Sequence, residues 1–143
     1  MKSVSIVGYA LMVAGLLGLI ATDSLFSSSP VVIGFQAVAA ALMLWARITF
    51  GWRSFHAPAN PTAGGLVTTG PYRFMRHPIY TSVVIFCFAG ALAHASLLAT
   101  GLAFVILVGA LIRMLLEERL LLARYPGYAD YAARTKRMLP YVF

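Results

Sequence analysis

Four apolar stretches separated by polar breaks make up most of the chain. They cover residues 4–21, 30–50, 78–93 and 96–116, and the last has a helical extension through residue 122. A helix that crosses a bilayer needs about 17–25 apolar residues. The first, second and fourth stretches meet this length, and the third is slightly short. We therefore predict an all-α polytopic membrane protein with four transmembrane helices, in which the third and fourth form a hairpin.

The first stretch has an alternative interpretation. Lys2 precedes the apolar run, as in a secretory signal peptide. However, no A-x-A cleavage site follows, and the run is long for the apolar part of a signal peptide. These two features favour a membrane helix.

Composition agrees with the hydrophobic pattern. Hydrophobic residues make up 61% of the 143 residues and charged residues only 10%, whereas soluble domains carry about 25% charged residues. The net charge of +7 could indicate nucleic-acid binding, but the basic residues flank apolar runs, so we predict no nucleic-acid partner. The single cysteine, Cys87, excludes an internal disulfide, and no Cys/His spacing predicts a metal site.

The distribution of Lys and Arg predicts the orientation. The loop at residues 23–29 and the turn at 94–96 carry neither residue type. The middle loop and its flanks carry Arg47, Arg53, Arg73 and Arg76, and the C-terminal part carries Arg119, Arg124, Arg134, Lys136 and Arg137. The positive-inside rule then places both termini and the middle loop in the cytoplasm. We predict a multi-pass protein of the inner membrane whose polar chemistry faces the cytoplasm.

The middle loop and the tail have distinct compositions. Residues 51–76 are rich in Gly and Pro and cannot be helical throughout. The tail after Arg124 is amphipathic and contains Tyr125, Tyr128, Tyr131 and Tyr141. It is interpreted either as an aromatic belt at the membrane interface or as a lid whose rings face a bound cation.

The first candidate cluster is Arg76-His77-Pro78-Ile79-Tyr80. Pro78 suits the first position of a helix, which makes His77 the N-cap. The free N–H groups of the first turn, together with Arg76, would form an anion site. The alternative is an ordinary basic boundary of a membrane helix.

The second candidate cluster comprises Arg113, Glu117 and Glu118. The spacing of four places Arg113 and Glu117 on one helical face. Charges at the edge of a membrane helix usually face a partner or a polar cavity, although an interfacial ion pair is the simpler interpretation. In a hairpin this cluster would lie beside Pro78. We also predict that Cys87 lies in the core and that Gly101 and Gly109 allow close helix packing.

An ordered series of motifs covers residues 66–143, the second half of a single domain, 1–143. It runs G-P-Y-R at 70–73, R-H-P-x-Y at 76–80, R-x-x-x-E-E at 113–118, Y-x-x-Y at 128–131 and R-x-L-P at 137–140. This series resembles the isoprenylcysteine carboxyl methyltransferase family and the related phospholipid N-methyltransferases. The resemblance implies a membrane enzyme that uses S-adenosylmethionine at the cytoplasmic end of its last helices.

The resemblance also implies roles for individual residues. Arg76, His77, Pro78, Tyr80, Glu118, Tyr128 and Tyr131 would bind the cofactor, and Arg113 and Glu117 would be catalytic, facing the acceptor and the reacting methyl group. The acceptor would be a lipophilic or lipid-modified molecule that enters from the bilayer. Because the chain has fewer helices before the motifs than many members, the identity of this acceptor stays open.

Four functions therefore remain possible. A carboxylate acceptor of the isoprenylcysteine type would need no base, and Arg113 could orient it. An amine acceptor would need deprotonation, for which Glu117 is the candidate. In a different class, a small transporter or membrane scaffold would also contain short helices with a carboxylate, but a transporter places its acid near the bilayer midplane. A membrane reductase with a nicotinamide cofactor is a further enzyme alternative.

Overall fold

The computed structural model describes residues 2–51, 65–140 and 143, and this part of the chain is helical without any strand. The helices are α1 (Lys2–Ala21), α2 (Pro30–Phe50), α3 (Pro78–Ala93), α4 (Leu97–Arg124) and α5 (Tyr128–Arg134), and a 3₁₀ helix at Gly70–Arg73 precedes α3. The predicted all-α fold is confirmed. Residues 52–64 of the Gly/Pro-rich loop and Tyr141 of the tail lie outside the described residues.

Local sequence signals explain where the helices begin. Pro30 and Pro78 lie in the first turns of α2 and α3, where a missing backbone N–H has no consequence. His77 is the N-cap of α3, as predicted, although its side chain makes no capping bond. Ser96 caps α4 by accepting a hydrogen bond from the backbone N–H of Ala99 over 3.3 Å.

The helices pack in the order α1, α4, α3, α2. Helix α3 contacts both α2 and α4, and α1 lies along α4. The backbones of α1 and α4 approach closely, because a Cβ atom added at Gly109 would lie 2.5 Å from the carbonyl oxygen of Gly8. The predicted hairpin of α3 and α4 is therefore confirmed, and Gly109 has its predicted role in close packing.

The corresponding prediction for Gly101 is wrong. A Cβ atom at Gly101 would meet nothing within 4 Å among the described residues. Residue 101 is exposed and does not take part in the close contact that Gly109 makes. Cys87, in contrast, lies in the core as predicted and is 2% exposed.

The two ends of the bundle carry different groups. At one end, the loop between α1 and α2 is held by Gln36, whose side-chain amide donates to the Leu25 carbonyl over 2.7 Å. His94 Nε2 lies 2.8 Å from the Phe26 carbonyl oxygen at the same end. The opposite end gathers the start of α1, the end of α2, the start of α3 and the end of α4, together with α5. Both candidate clusters lie at this second end.

Three helices are long and apolar enough to cross a membrane among the described residues. These segments are Ser3–Ala21, Pro30–Phe50 and Leu97–Arg124. Helix α3 is also apolar but has only 16 residues. At about 1.5 Å per residue it extends about 24 Å, against about 30 Å for a hydrocarbon core. The described residues thus contain three full-length candidate spans and one shorter apolar helix.

Candidate functional site

The two predicted clusters meet where α3 begins and α4 ends. The Tyr80 hydroxyl donates a hydrogen bond to Glu117 Oε1, and Arg76 Nε donates to Glu118 Oε1 over 2.7 Å. These contacts join residues that are 37 and 42 positions apart in the chain. The proximity that we expected from the hairpin is confirmed.

Glu117 belongs to a network that fixes Arg113. Arg113 Nε donates to the Tyr80 hydroxyl over 2.8 Å, and its Nη2 lies 3.4 Å from Glu117 Oε1. The guanidinium carbon also lies 5.4 Å from the centre of the Tyr9 ring. Arg113 is only 5% exposed, whereas the Glu117 side chain is 25% exposed. The carboxylate is therefore the accessible charged group of this network, and the guanidinium is not.

Glu118 is held by two arginines. Arg76 binds one of its oxygens, and Arg137 Nε donates to the other over 3.0 Å. The carboxylate is also largely buried. A buried carboxylate that accepts two charge-assisted hydrogen bonds is strongly oriented. Glu118 therefore joins α4 to both the start of α3 and the tail.

His77 lies between the two carboxylates. Its Nδ1 atom is 3.8 Å from Glu117 Oε2, and its Nε2 atom is 3.4 Å from Glu118 Oε1. The second distance permits a charge interaction, but the Nε2 atom forms no hydrogen bond with the described residues. The Tyr128 hydroxyl, in a side chain that is 1% exposed, also has no hydrogen-bond partner in the described part. Because buried polar atoms are nearly always paired, these two atoms are candidate ligand contacts.

The tail runs beside the start of α3 and is bonded to it through the main chain. The backbone N–H groups of Arg76 and His77 donate to the carbonyls of Lys136 and Arg137 over 2.8 and 2.9 Å. Met75 and Lys136 form an isolated parallel bridge. The Thr81 hydroxyl extends this contact by donating to the Met138 carbonyl over 2.9 Å. The first turn of α3 is therefore covered by the tail.

Arg76 also anchors the end of α5. Its Nη1 group donates to the carbonyl of Ala132 over 2.8 Å and to the carbonyl of Thr135. The charge that we predicted for an anion site at the helix start is thus shared among Glu118 and two backbone carbonyls. A ligand at this position would contact an Arg76 side chain that is already bonded to Glu118 and to backbone carbonyls.

The tail tyrosines are held inside this arrangement. The Tyr131 hydroxyl donates to the Tyr72 carbonyl over 2.6 Å, and burial raises the pKa of Tyr131 to about 12. Burial, assisted by the negative charge of Glu118, also raises the pKa of Tyr128 well above its ordinary value. Both phenols are therefore neutral at physiological pH. The Tyr131 hydroxyl is used in a structural hydrogen bond, whereas the Tyr128 hydroxyl has no hydrogen-bond partner among the described residues.

The structure thus brings all nine predicted site residues to one end of the bundle and adds others. Arg137 binds Glu118, and the Tyr9 ring covers Arg113. The R-x-L-P motif contained a signal for Arg137, but no local pattern singled out Tyr9. Among the described residues, no group of three or more His, Cys, Asp or Glu side chains comes together as potential metal ligands.

Comparison with known proteins identifies two relatives that are both named as metal-resistance proteins. The chain is 41% identical over 78 residues to the nickel-cobalt-cadmium resistance protein NccN of Alcaligenes xylosoxydans xylosoxydans. It is 37% identical over 78 residues to the cobalt-zinc-cadmium resistance protein CzcN of Cupriavidus metallidurans. Each match covers 52% of this chain, 36% of NccN and 35% of CzcN. The chain therefore matches about a third of the length of these relatives. No solved structure shows significant similarity to it.

A family model provides the broader match. The model described as phospholipid methyltransferase matches residues 28–127, which is more than half of the 143 residues. The matched range includes α2, α3 and α4, and so includes both carboxylates and the start of α3. This agrees with the resemblance found in the motifs. The chain belongs to the phospholipid methyltransferase family.

Proposed function

We propose that this protein is an S-adenosylmethionine-dependent methyltransferase that modifies a lipophilic acceptor at the cytoplasmic surface of the inner membrane. In this proposal α3 is the fourth crossing, because it connects the same two ends of the bundle as α4. The end that carries the candidate site faces the cytoplasm, as its many Lys and Arg residues favour. The acceptor, a membrane lipid or a lipid-modified molecule, reaches the site sideways from the bilayer.

Two buried polar atoms that form no hydrogen bond with the described residues support a cofactor at this site. His77 Nε2 and the Tyr128 hydroxyl can each form a hydrogen bond with a polar group of the cofactor. Pro78 and Tyr80 line the same helix start, and Arg76, Glu118 and Tyr131 hold the surrounding network. When bound, S-adenosylmethionine supplies an activated methyl group on a positively charged sulfur. The Glu117 carboxylate and the Tyr80 ring suit a neighbouring cation.

The two carboxylates have separate functions in this proposal. Glu118 is paired with Arg76 and Arg137, so it joins α4 to the start of α3 and to the tail. Glu117 is the more exposed of the two and is the candidate proton acceptor. The contrast between these neighbouring residues is the observation on which the proposed function rests.

The same contrast favours an amine as the acceptor group. Arg113 is buried and bonded to Tyr80 and Glu117, so a carboxylate acceptor would have to displace an existing partner of the guanidinium. An ammonium group, in contrast, would face the accessible Glu117 carboxylate. This carboxylate can take the proton that the nitrogen must lose before it accepts a methyl group. The family description, phospholipid methyltransferase, is consistent with an aminophospholipid. A carboxylate acceptor of the isoprenylcysteine type is the second candidate.

One labelling experiment tests both candidates. Membranes that contain the protein are incubated with S-adenosylmethionine labelled in its methyl group, and the labelled lipids are then treated with base. An N-methyl group survives this treatment, whereas a methyl ester is hydrolysed and releases volatile methanol. We expect the label to be extracted with the phospholipids and to stay non-volatile after base treatment, on the headgroup that base releases from the acyl chains. Volatile label would support the carboxylate acceptor, and no lipid-dependent labelling would contradict the proposed function.

Cofactor binding can be tested separately from turnover. We expect S-adenosylhomocysteine to bind the purified protein in calorimetry. His77→Ala should weaken this binding about tenfold, because a hydrogen bond is lost inside a buried site. His94→Ala, at the opposite end of the bundle, is the control and should leave the affinity unchanged. Equal affinities for both variants would remove His77 from the cofactor site.

The calorimetry also separates the enzyme from the other class of function. A transporter or scaffold would show no binding of S-adenosylhomocysteine, and a nicotinamide-dependent reductase would instead retain a nicotinamide cofactor on purification. The metal-resistance names of NccN and CzcN suggest the cellular setting in which such a methyltransferase could act. They do not enter the proposed chemistry.

A further inference from the structure

A basic pocket lies on the side of Arg76 that faces the tail. It has a volume of about 310 Å³ and is lined by Arg76, Ala132, Ala133, Thr135, Lys136, Arg137 and Phe143. Three of these seven residues are cationic, and none is acidic. The volume lies at the lower end of the range for small-molecule sites, about 300–1,000 Å³. The pocket can therefore hold a small anionic group.

Each of the three cations of the pocket has N–H donors that the described hydrogen bonds do not use. Arg76 uses Nε and Nη1 for the described bonds, and Arg137 uses Nε. Several nitrogen atoms of the pocket form no hydrogen bond with the described residues. They are Arg76 Nη2, the two terminal nitrogens of Arg137 and Lys136 Nζ. Guanidinium groups with free terminal N–H groups match phosphate oxygens in geometry as well as in charge.

The pocket is also built from fixed parts. The Arg76 side chain is 9% exposed and is bonded to Glu118 and to backbone carbonyls. Arg137 is held by Glu118 on one side and lies with its guanidinium carbon 5.5 Å from the centre of the Phe143 ring. The Lys136 carbonyl is bonded to the Arg76 backbone, which positions the lysine without using its side chain. Two of the three cations therefore need little reorganisation to receive a ligand.

From these observations we propose that the pocket lined by Arg76, Lys136 and Arg137 is a phosphate-binding site, separate from the methyl-transfer site and joined to it through Arg76 and Glu118. Two sources could supply the phosphate group, a phospholipid headgroup or a soluble phosphate. A bound phosphate would add a second anionic partner for Arg76 and Arg137, which already pair with the Glu118 carboxylate. Phosphate binding by these cations does not require methyltransferase activity, and only the separation of the pocket from the methyl-transfer site rests on the proposed function.

The experiment compares two charge-matched variants two residues apart. Lys136→Gln removes a cation that lines the pocket, and Arg134→Gln removes an exposed cation of α5 that does not line it. Purified protein in detergent is mixed with phosphatidylglycerol, and retained lipid is measured by native mass spectrometry. In a second arm, inorganic phosphate is added, and thermal stabilisation is measured.

We expect Lys136→Gln to weaken phosphatidylglycerol retention about fivefold, the effect of one basic residue near an anionic lipid surface, and Arg134→Gln to change it less than twofold. If inorganic phosphate alone gives the difference between the variants, the site takes a soluble phosphate. Equal losses in the two variants, or no response to either probe, would overturn the proposal. Displacement of the phosphate probe by S-adenosylhomocysteine would also overturn it, because the pocket would then be part of the cofactor site.

Discussion

At the scale of single residues, neighbouring side chains with the same chemistry have different surroundings. Glu117 and Glu118 are adjacent in α4, but about 100° of helical rotation separates their directions. Glu118 turns toward Arg76 and Arg137, and Glu117 turns toward Tyr80 and Arg113. The first is compensated by two cations, and the second keeps an accessible face. This difference makes Glu117 the reactive candidate.

The role of Glu117 leads to a prediction about turnover. Glu117→Gln preserves size and hydrogen-bonding capacity but cannot accept a proton, so methyl transfer to an amine should fall by at least about 100-fold, the usual range for loss of a general base. Initial rates with labelled cofactor and extracted lipids would measure this effect. Asp130→Asn, which removes an exposed acid of α5, is the matched control and should retain the rate. Full activity of Glu117→Gln would remove the residue from the mechanism.

Tyr131 has a pH-dependent effect on stability. Burial raises its pKa to about 12, above its ordinary value of about 10. The stabilisation by the protonated phenol is therefore complete below pH 10 and is lost as the pH rises from about 10 to 12. Tyr131→Phe should lose about 1 kcal/mol of stability at neutral pH, because the bond to the Tyr72 carbonyl is gone. It should also lose less of its remaining stability than the wild type between pH 10 and 12. Unfolding measured across this range checks both points, and identical pH profiles would contradict them.

At the scale of elements, helix packing depends on a few close approaches. Helices α1 and α4 pack through Gly8 and Gly109, where no side chain separates the backbones. Between α3 and the first loop, a Cβ atom at Gly90 would lie only 1.9 Å from the Leu25 carbonyl oxygen. In a membrane, where helix association relies on packing and not on the exclusion of water, small residues at such contacts are important.

The two glycines of α4 provide a matched test of this packing. Gly109→Ala should destabilise the protein by about 1–3 kcal/mol, the usual cost of overpacking a tight contact. Gly101→Ala meets open space and should be neutral, or slightly stabilising through its better helix propensity. Thermal unfolding of both variants in one detergent would measure the difference. A Gly109→Ala variant as stable as Gly101→Ala would show that the α1–α4 contact has room to adjust.

At the scale of the whole molecule, the two ends of the bundle carry different polar groups. One end holds the loop between α1 and α2 and the turn between α3 and α4, where the described residues form hydrogen bonds but no ion pair. The other holds both carboxylates, the covering tail and most of the cations. This asymmetry supports the proposal of a site that receives a soluble cofactor from one side of the membrane and a lipophilic acceptor from within it.

The proposed topology can be tested by labelling single cysteines. In a Cys87→Ala background, Ser28→Cys and Arg134→Cys place a thiol at exposed positions on opposite ends of the bundle. With four crossings and a cytoplasmic site, a membrane-impermeant maleimide should label the Ser28→Cys variant in cells whose outer membrane has been permeabilised. It should label the Arg134→Cys variant only after lysis of the inner membrane. The reverse pattern, or labelling of both, would contradict the topology.

The sequence by itself determined the helices, several of their boundaries and the candidate chemistry. Apolar runs, Pro at helix starts and spacing along one helix are local properties, so α2 and α3 begin and end where the sequence predicts. The motifs also named the residues that converge at one end of the bundle. The proximity of the two clusters was also predictable, because the short turn between α3 and α4 leaves these helices few ways to pack other than side by side.

Only the tertiary structure decided which partners these residues take. Arg76 is bonded to Glu118 across 42 positions, and Tyr131 to Tyr72 across 59. The cover that Tyr9 provides for Arg113 depends on how α1 lies along α4. Such contacts depend on helix rotation and on the path of the tail, which no local pattern records. The sequence therefore identified the charged groups, and the fold determined that Arg113 and Glu118 are enclosed while Glu117 stays accessible.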